Sequence, residues 1–251
     1  MSAIKRSEQL PLVVITMAGL GSRFRAAGYT VPKYQIGVRG RTLFAWSMES
    51  LRSFVDAGCP FVFVALRQDQ ASAFLATEAD ALGIDDHRLV ELSGLTDGQA
   101  TTAMLALDKQ DERRPLVIYN IDTYVEPAGF PLAGLHDDGW IPCFPGQGDA
   151  WSFVRASADG RVLEVREKRR ISPHATLGLY GFGSVGLFCS AYDEYYADPA
   201  NLESGERYIA PLYNQLVTRG GTLWMTTVEP ALVHPLGTPA EVDAFARSGG
   251  S

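Results

Sequence analysis

The chain has 251 residues, of which 46% are apolar and 20% are charged, a balance typical of a globular protein with a sizeable core. This composition excludes a disordered chain, a collagen-like fibre and a disulfide scaffold. The 22 basic and 29 acidic residues give a net charge of −7, which argues against a protein that coats nucleic acid or lies on an anionic membrane.

The cysteines and the apolar segments indicate where the protein works. Cys59, Cys143 and Cys189 are too widely spaced for a metal site, and their odd number does not suit a disulfide framework. Residues 1–9 lack the apolar run of a secretion signal, and no stretch approaches the length of a membrane span. We therefore expect a cytoplasmic protein with reduced thiols and no membrane association.

Strands and helices are predicted to alternate in the first half of the chain. Short β-branched or aromatic runs predict buried strands at residues 12–17, 61–66 and 116–119. Helical spacing predicts helices over residues 42–56, 68–82 and 99–107. Thr42 is the expected N-cap of the first helix, and Gly58 follows its end. This alternation predicts an α/β fold with a parallel sheet covered by helices on both faces.

The second half of the chain, after about residue 138, has shorter strands with more glycine and aromatic residues. Strands are predicted at residues 151–156, 162–166 and 223–228. Asp159-Gly160 lies between the first two and predicts a hairpin turn. We expect this half to add an antiparallel annex to the same sheet, giving one domain with two lobes.

A glycine loop follows the first predicted strand. It reads Met17-Ala18-Gly19-Leu20-Gly21-Ser22-Arg23-Phe24. Glycines at this place allow backbone amides to approach a phosphate closely. Phe24 stands where a dinucleotide-binding loop needs a third small residue, and the Gly-Lys-Ser/Thr of a Walker A loop is absent. Both of those site types therefore lose support.

The charge around this loop strengthens the interpretation as a phosphate site. Residues 23–41 carry a local charge of +5 and no acid, which leaves −12 for the rest of the chain. The five basic residues are Arg23, Arg25, Lys33, Arg39 and Arg41. A solvated basic loop is the plain alternative. Because the charge coincides with the glycines, we favour a site for a small polyanion such as a nucleoside triphosphate.

An ordered series of motifs extends from this loop through most of the chain. After the glycine loop come Pro32-Lys33, Gly98-Gln99-Ala100-Thr101-Thr102, Asn120-Ile121-Asp122, Glu167-Lys168, Gly178-Leu179-Tyr180 and Gly237-Thr238-Pro239. The series resembles that of the sugar-1-phosphate nucleotidyltransferases, the nucleoside-diphosphate-sugar pyrophosphorylases. The compact length is similar to that of short bacterial enzymes that make precursors of capsule and lipopolysaccharide.

The resemblance implies a doubly wound, Rossmann-like and glycosyltransferase-A-like sheet. It implies a nucleotide-binding lobe over residues 10–138 and an acceptor-binding lobe over residues 139–246. The implied reaction moves a nucleoside monophosphate from a triphosphate to a phosphorylated acceptor, a sugar phosphate, and releases pyrophosphate. A phosphomonoester has a second pKa of about 6 and is already a dianion near neutral pH, so the reaction needs no side-chain base. Catalysis then consists of positioning and charge neutralisation.

The resemblance also implies roles for individual residues. In the catalytic set, Arg23 holds the β and γ phosphates, Lys33 holds the α-phosphate and Asp122 binds Mg²⁺. The implied nucleotide-binding residues are Ala18, Gly19, Gly21, Ser22, Arg23, Gly98 and Gln99. The implied acceptor-binding residues are Glu167, Lys168, Gly178 and Tyr180. Structural alternatives are a helix-cap turn at Gly98, a turn cap at Asp122, and core packing at Gly178 and Tyr180.

One position departs from the family pattern. Pro235 stands where the thymidylyltransferases have an aspartate that completes the metal site. A second carboxylate must then come from elsewhere, such as Asp149 or Glu229, or Asp122 alone holds the ion. Two other functions remain open: a metal-dependent glycosyltransferase with Asn120-Ile121-Asp122 as its acidic motif, and a non-catalytic nucleotide-sugar-binding protein. The base, the acceptor and the formation of a homo-oligomer are also open.

Overall fold

The computed structural model describes residues 9–108 and 111–248. Most of the N-terminal segment used in the prediction of location lies outside these residues. Within the described ranges, every helix is too short or too polar to cross a bilayer.

The first half of the chain forms the parallel part of a large sheet. The strands of this half are β1 Leu12–Thr16, β2 Gly37–Val38, β3 Arg41–Thr42, β4 Phe61–Leu66, β5 His87–Leu92, β6 Leu116–Asn120 and β7 Thr123–Val125. Strands β2 and β3 pair with each other in a separate antiparallel sheet, and β7 also lies outside the large sheet. Its helices are α1 Ser22–Ala26, α2 Leu43–Glu49, α3 Arg52–Asp56, α4 Ser72–Leu82 and α5 Gln99–Met104. Strand β1 pairs in parallel with β4 and β6, and β5 adds in parallel to β4. The predicted parallel sheet is confirmed.

The second half extends the same sheet from β6. The strands of this half are β8 Gly139–Pro145, β9 Phe153–Ala156, β10 Val162–Arg166, β11 His174–Thr176, β12 Leu179–Phe182, β13 Leu223–Thr227 and β14 Val233–Pro235. Strand β14 lies outside the large sheet and pairs with β7 in a separate antiparallel sheet. Its helices are α6 Val185–Tyr195, α7 Tyr213–Thr218 and α8 Pro239–Ser248. The order β12-β8-β11-β9-β10 is antiparallel throughout, which confirms the annex, and the β9–β10 hairpin turns at Asp159-Gly160 as predicted. Strand β13 is an exception, because it pairs with β8 in parallel.

The single helix predicted over residues 42–56 is wrong, because the structure divides it. Thr42 is the N-cap, with its Oγ1 accepting from the Ala45 amide at 3.0 Å, but α2 ends at Glu49 and α3 begins at Arg52. At the break the buried Ser50 accepts a hydrogen bond from the Val125 amide at 2.9 Å through its Oγ. The need to satisfy a buried hydroxyl explains why the chain bends towards β7 here.

Other predicted boundaries also change. The helix predicted over residues 68–82 begins only at Ser72, because Gln70 adopts a left-handed φ of 49°. The helix predicted over residues 99–107 ends at Met104. The strand predicted at residues 151–156 begins at Phe153, and the strand at residues 223–228 ends at Thr227.

Side chains from the two faces of the sheet enter separate cores. Val13 and Ile15 of β1 join one core, whereas Leu12 and Val14 join the core on the opposite face. This alternation is the pattern of a strand buried on both sides. The carboxyl ends of β1 and β6 are therefore held from both faces, and the loops that leave them start from fixed positions.

Candidate active site

A cleft with a volume of about 550 Å³ opens at the carboxyl ends of β1 and β6. Ligands of open α/β sheets bind at this end of the strands. All of the residues predicted to be catalytic or nucleotide-binding line it: Ala18, Gly19, Gly21, Ser22, Arg23, Lys33, Gly98, Gln99 and Asp122. The structure therefore brings together three separate segments of the sequence.

The glycine loop forms one wall of this cleft. Gly21 has a left-handed φ of 59°, and a Cβ there would lie 3.4 Å from the Cβ of Lys33. The carbonyl of Gly21 accepts hydrogen bonds from the amides of Phe24 and Arg25. The Phe24 ring is buried in a third core with residues of α8. Gly21 thus allows a tight turn, and Phe24 anchors it.

The five basic residues of the 23–41 window separate in the structure. Arg23 and Lys33 line the cleft, and Arg25 Nε donates to the Leu20 carbonyl at 2.9 Å. Arg41 instead pairs with Glu49 at 3.0 Å. The Arg39 guanidinium lies 4.6 Å from the centre of the Phe245 ring. The interpretation of this window as one site for a polyanion is therefore wrong for Arg39 and Arg41.

Lys33 and Asp122 contact each other at the centre of the cleft. The ammonium of Lys33 donates to Oδ1 of Asp122, and 11% of the lysine side chain is exposed, against 56% of the aspartate side chain. Asp122 follows β6 directly, and its carbonyl accepts from the Leu236 amide at 2.8 Å. The cation proposed for the α-phosphate and the carboxylate proposed for the metal are thus immediate neighbours.

Gly98 and Gln99 occupy the next part of the wall. A Cβ at Gly98, where φ is 145°, would overlap the backbone of Arg207, so the glycine is required by a close approach of two chain segments. The Nε2 of Gln99 donates to Asn120 and also to Thr16, whose Oγ1 is 3.2 Å away. Gln99 therefore connects α5 to the ends of both β1 and β6.

None of the four predicted acceptor residues lines the described cleft itself; they lie outside it, and Lys168 contacts one of its lining residues. Ser152 donates to Glu167, which is half-buried, and burial raises the pKa of this carboxyl group. Lys168 Nζ donates to the hydroxyl of Tyr208 at 2.5 Å. Tyr208 in turn lines the cleft, so the lysine reaches the far end of the cleft through this contact.

Gly178 and Tyr180 are set deeper. A Cβ at Gly178 would lie 3.0 Å from Nδ2 of Asn120, so the glycine leaves room for that cleft residue. Tyr180 is buried, with its hydroxyl 3.3 Å from Thr176 Oγ1, and burial together with the nearby Glu167 raises its pKa to about 12. Tyr180 therefore packs in the core and supports Glu167 from behind.

The cleft residues that were absent from the predicted site include Glu206 and Tyr208. They lie on either side of Arg207, in a segment that folds over the cleft from the second half. The turn signal Ser204-Gly205 before them was readable in the sequence. The contact that directs the segment to the cleft, between Arg207 and the Gly98 turn, joins residues far apart and has no local signal.

The donor set suits a metal ion that arrives with the nucleotide. Within the described ranges, no group of three or more histidine, cysteine, aspartate or glutamate side chains could hold an ion. Asp149 lies 3.6 Å from Arg170, and neither Asp149 nor Glu229 lines the cleft. Pro235 pairs with Thr123 across β14 and β7, so position 235 lies beside Asp122. One carboxylate with substrate phosphates and water is a donor set that Mg²⁺ accepts.

The fold and the cleft together define a nucleotidyltransferase-like α/β protein, and comparison with solved structures identifies the family. The chain is 36% identical to the nucleoside-diphosphate-sugar pyrophosphorylase from Vibrio cholerae RC9, over 94% of this chain and 99% of that one, with a TM-score of 0.86. This chain belongs to the nucleoside-diphosphate-sugar pyrophosphorylases, a family of nucleotidyltransferases. It is therefore an enzyme of that class, which favours this function over the two alternatives raised from the sequence.

More distant structures share the fold. The inositol-1-phosphate CTP transferase from T. maritima is 15% identical over 96% of this chain and 98% of that one, with a TM-score of 0.71. A UDP-glucose pyrophosphorylase complexed with UDP-glucose is 14% identical over 96% and 98% of the two chains, with a TM-score of 0.73. No family profile and no curated protein matches the sequence.

Proposed function

We propose that the enzyme transfers a nucleoside monophosphate from a nucleoside triphosphate to a sugar phosphate and releases pyrophosphate, in a cytoplasmic pathway that supplies surface polysaccharide. The observation that carries this proposal is the convergence of the glycine loop, the Gly98 turn and Asp122 on one cleft. The similarity to the nucleoside-diphosphate-sugar pyrophosphorylase from Vibrio cholerae RC9 supports it, because this reaction is the one that such an enzyme's name describes.

The nucleotide end of the cleft suits a triphosphate. Arg23 is exposed, and among the described residues no carboxylate forms an ion pair with it. Its guanidinium is thus available for phosphate oxygens, with which it forms paired hydrogen bonds. The loop glycines leave backbone amides accessible beside it. In this proposal residues 10–138 form the nucleotide-binding lobe.

Lys33 and Asp122 act where the new bond forms. The Lys33 ammonium offsets the charge that builds at the α-phosphorus as the acceptor oxygen attacks and pyrophosphate leaves. Asp122 would hold Mg²⁺, which neutralises phosphate charge when it is bound. As the substrate enters, Lys33 exchanges its contact with Asp122 for a phosphate oxygen. The chain supplies position and charge, and no side chain needs to remove a proton.

The acceptor end is formed by residues 139–246, the proposed acceptor-binding lobe. Glu167 and Lys168 follow β10 side by side, so a carboxylate for hydroxyl groups lies next to an ammonium for a phosphate. This pairing suits an acceptor that carries both hydroxyls and a phosphate, which is the chemistry of a sugar phosphate. Glu206 adds a second carboxylate at the cleft wall.

A pyrophosphate-release screen tests this function. Each nucleoside triphosphate is combined with a panel of sugar 1-phosphates and non-sugar phosphates, including phosphocholine, in the presence of Mg²⁺. We expect release with at least one pair, and the product identifies the base and the acceptor. The matched control is Asp122→Asn, which keeps the size of the side chain and should lower release by about a hundredfold. Absence of release from the wild-type enzyme with every pair would overturn the proposal.

A further inference from the structure

A short segment, residues 203–208, closes the acceptor end of the cleft. The Glu203 amide donates to the Glu206 carbonyl at 3.1 Å, and the Glu206 amide donates to the Glu203 carbonyl at 3.0 Å. Ser204 and Gly205 between them have left-handed φ values of 54° and 81°. These are the features of a tight hairpin turn with two left-handed residues. The turn sends the chain back along the cleft wall.

Arg207 fixes this segment to the nucleotide side. Its amide donates to the Asp97 carbonyl at 2.7 Å, and its carbonyl accepts from the Ala100 amide at 3.0 Å. Its guanidinium lies 3.1 Å from the Asp97 carboxylate and donates to the Tyr192 hydroxyl at 2.5 Å. Both the backbone and the side chain of Arg207 are therefore fixed, and these contacts also fix the position of the next residue, Tyr208.

Tyr208 holds the ammonium of Lys168 in two ways. Its hydroxyl accepts a hydrogen bond from Lys168 Nζ at 2.5 Å, and this nitrogen lies 4.5 Å from the centre of the ring. The carbonyl of Tyr208 accepts from the Tyr196 hydroxyl at 2.6 Å, so the backbone beneath the ring is fixed as well. A charge-assisted hydrogen bond together with a cation over an aromatic ring determines both the distance and the direction of the ammonium.

The backbone of Lys168 is itself strained. Its φ of 47° lies in the left-handed region, which is unfavourable for a residue with a Cβ. Such strain persists where the surroundings determine the conformation. Burial, together with the carboxylate of Glu206, raises the pKa of Tyr208, so its hydroxyl stays protonated at neutral pH. A neutral phenol leaves the positive charge of the lysine available to a substrate.

We propose that Tyr208 is a positioning residue for the acceptor: its hydroxyl and its ring hold the Lys168 ammonium at the far end of the cleft, ready for the acceptor phosphate. This inference rests on the proposed function, because it takes that phosphate as the partner of Lys168. Tyr208 acts through the lysine and takes no part in bond formation.

Kinetics of Tyr208→Phe test this role, since the variant keeps the ring and loses the hydroxyl that contacts Lys168 and Glu206. With the substrate pair found in the screen, we expect the KM for the acceptor to rise about five- to tenfold, the loss typical of one charge-assisted hydrogen bond at an exposed site. The KM for the triphosphate should stay within about twofold, because Arg23 and Lys33 are untouched. Tyr208→Leu removes the ring as well and should raise the acceptor KM further.

The matched control is Tyr195→Phe. Tyr195 is another partly buried tyrosine of the same lobe, and its hydroxyl donates no hydrogen bond to any of the described residues. The Tyr195→Phe variant should have wild-type KM values for both the acceptor and the triphosphate. An unchanged acceptor KM in Tyr208→Phe, or an equal rise of both KM values, would overturn the inference while leaving the proposed function intact. Failure of the wild-type screen is a different result and concerns the function itself.

A second readout needs no turnover. The chain has four lysines, so acetylation by acetic anhydride, which transfers an acetyl group to the lysine nitrogen and releases acetate, can be followed at each one by mass spectrometry. An ammonium held by Tyr208 reacts slowly, and we expect the rate at Lys168 to rise about five- to tenfold in Tyr208→Phe, with Lys33 as the internal reference. Equal rates at Lys168 in the two proteins would overturn the inference.

Discussion

The two ends of the cleft hold their charged groups differently. At the proposed nucleotide end, Arg23 is exposed and forms no ion pair with any described residue, while Lys33 forms an ion pair with Asp122. At the acceptor end, Lys168 is bound by Tyr208 and Glu167 by Ser152. The nucleotide end thus presents cations that a polyanion can capture, whereas the acceptor end presents groups already oriented by their neighbours.

The largest effect should come from comparing Lys33→Met with Lys168→Met. In the proposed mechanism Lys33 offsets charge at the phosphorus under attack, so its loss should lower kcat by about a hundredfold or more. In the same proposal Lys168 binds the acceptor phosphate, so its loss should mainly raise the acceptor KM, by about tenfold. Steady-state pyrophosphate release measures both effects. Equal losses of kcat in the two variants would contradict the assignment of Lys33 and Lys168 to different ends of the cleft.

Pro235→Asp tests whether a metal ion binds beside Asp122, at the proposed nucleotide end of the cleft. Position 235 lies beside Asp122, so the new carboxylate should join the metal site and tighten binding of Mn²⁺ in the presence of nucleotide by about tenfold. Electron paramagnetic resonance of free Mn²⁺ provides the measurement. Pro235→Asn is the neutral control and should have a smaller effect. If the two variants bind the ion equally, the metal does not lie between Asp122 and position 235, where the family comparison puts it.

Glu167→Gln tests whether burying the Glu167 carboxylate at the proposed acceptor end destabilises the fold. Because burial raises the pKa of Glu167 above its usual 4.5, the folded protein binds a proton there more tightly than the unfolded chain does. The carboxylate therefore destabilises the fold at pH values above its folded pKa, and this penalty disappears as the pH falls below 4.5. We expect Glu167→Gln to raise Tm at pH 7 but not at pH 4, and to weaken acceptor binding. Thermal unfolding at the two pH values measures this, and a lower Tm at pH 7 would contradict it.

Arg39→Met should have the smallest effect on activity. Arg39 belongs to the same basic window as Lys33 but lies on Phe245, away from the cleft. Loss of this contact should lower the free energy of unfolding by about 1 kcal/mol. The kcat should stay within about twofold of the wild-type value. A strong loss of turnover in a folded Arg39→Met protein would show that the whole window serves the substrate.

The sequence predicted the parallel strands well because they are buried on both faces. Strands β1, β4 and β6 are largely apolar runs, so they can be recognised from the local sequence without knowing which strands lie beside them. Strand β5 was missed because it lies at the edge of the sheet and is largely exposed. The division between α2 and α3 depends on Ser50 meeting β7, a contact over a long stretch of sequence that no local pattern contains.

Some residues of the candidate site, like some of the strands, could be predicted from the local sequence, and others could not. The glycine loop, Lys33 and Asp122 were predicted from local motifs and from the family resemblance, and all of them reach the cleft. Tyr208 and Glu206 were missed, because their place depends on the close approach of Arg207 to Gly98. The prediction that Arg39 belongs to the polyanion site was wrong, because a charge count along the chain carries no information on where a side chain points.

The hydrogen bond from the Leu236 amide to the Asp122 carbonyl has a consequence for synthesis of the protein. The cleft begins with Thr16, near the start of the chain, and includes Gly237, near its end. A chain emerging from the ribosome can form β1, β4 and β5 early, but it completes the wall beside Asp122 only after Leu236 and Gly237 have emerged. Contacts between such distant residues form slowly. Nascent chains should therefore gain sheet structure well before they can retain a nucleotide.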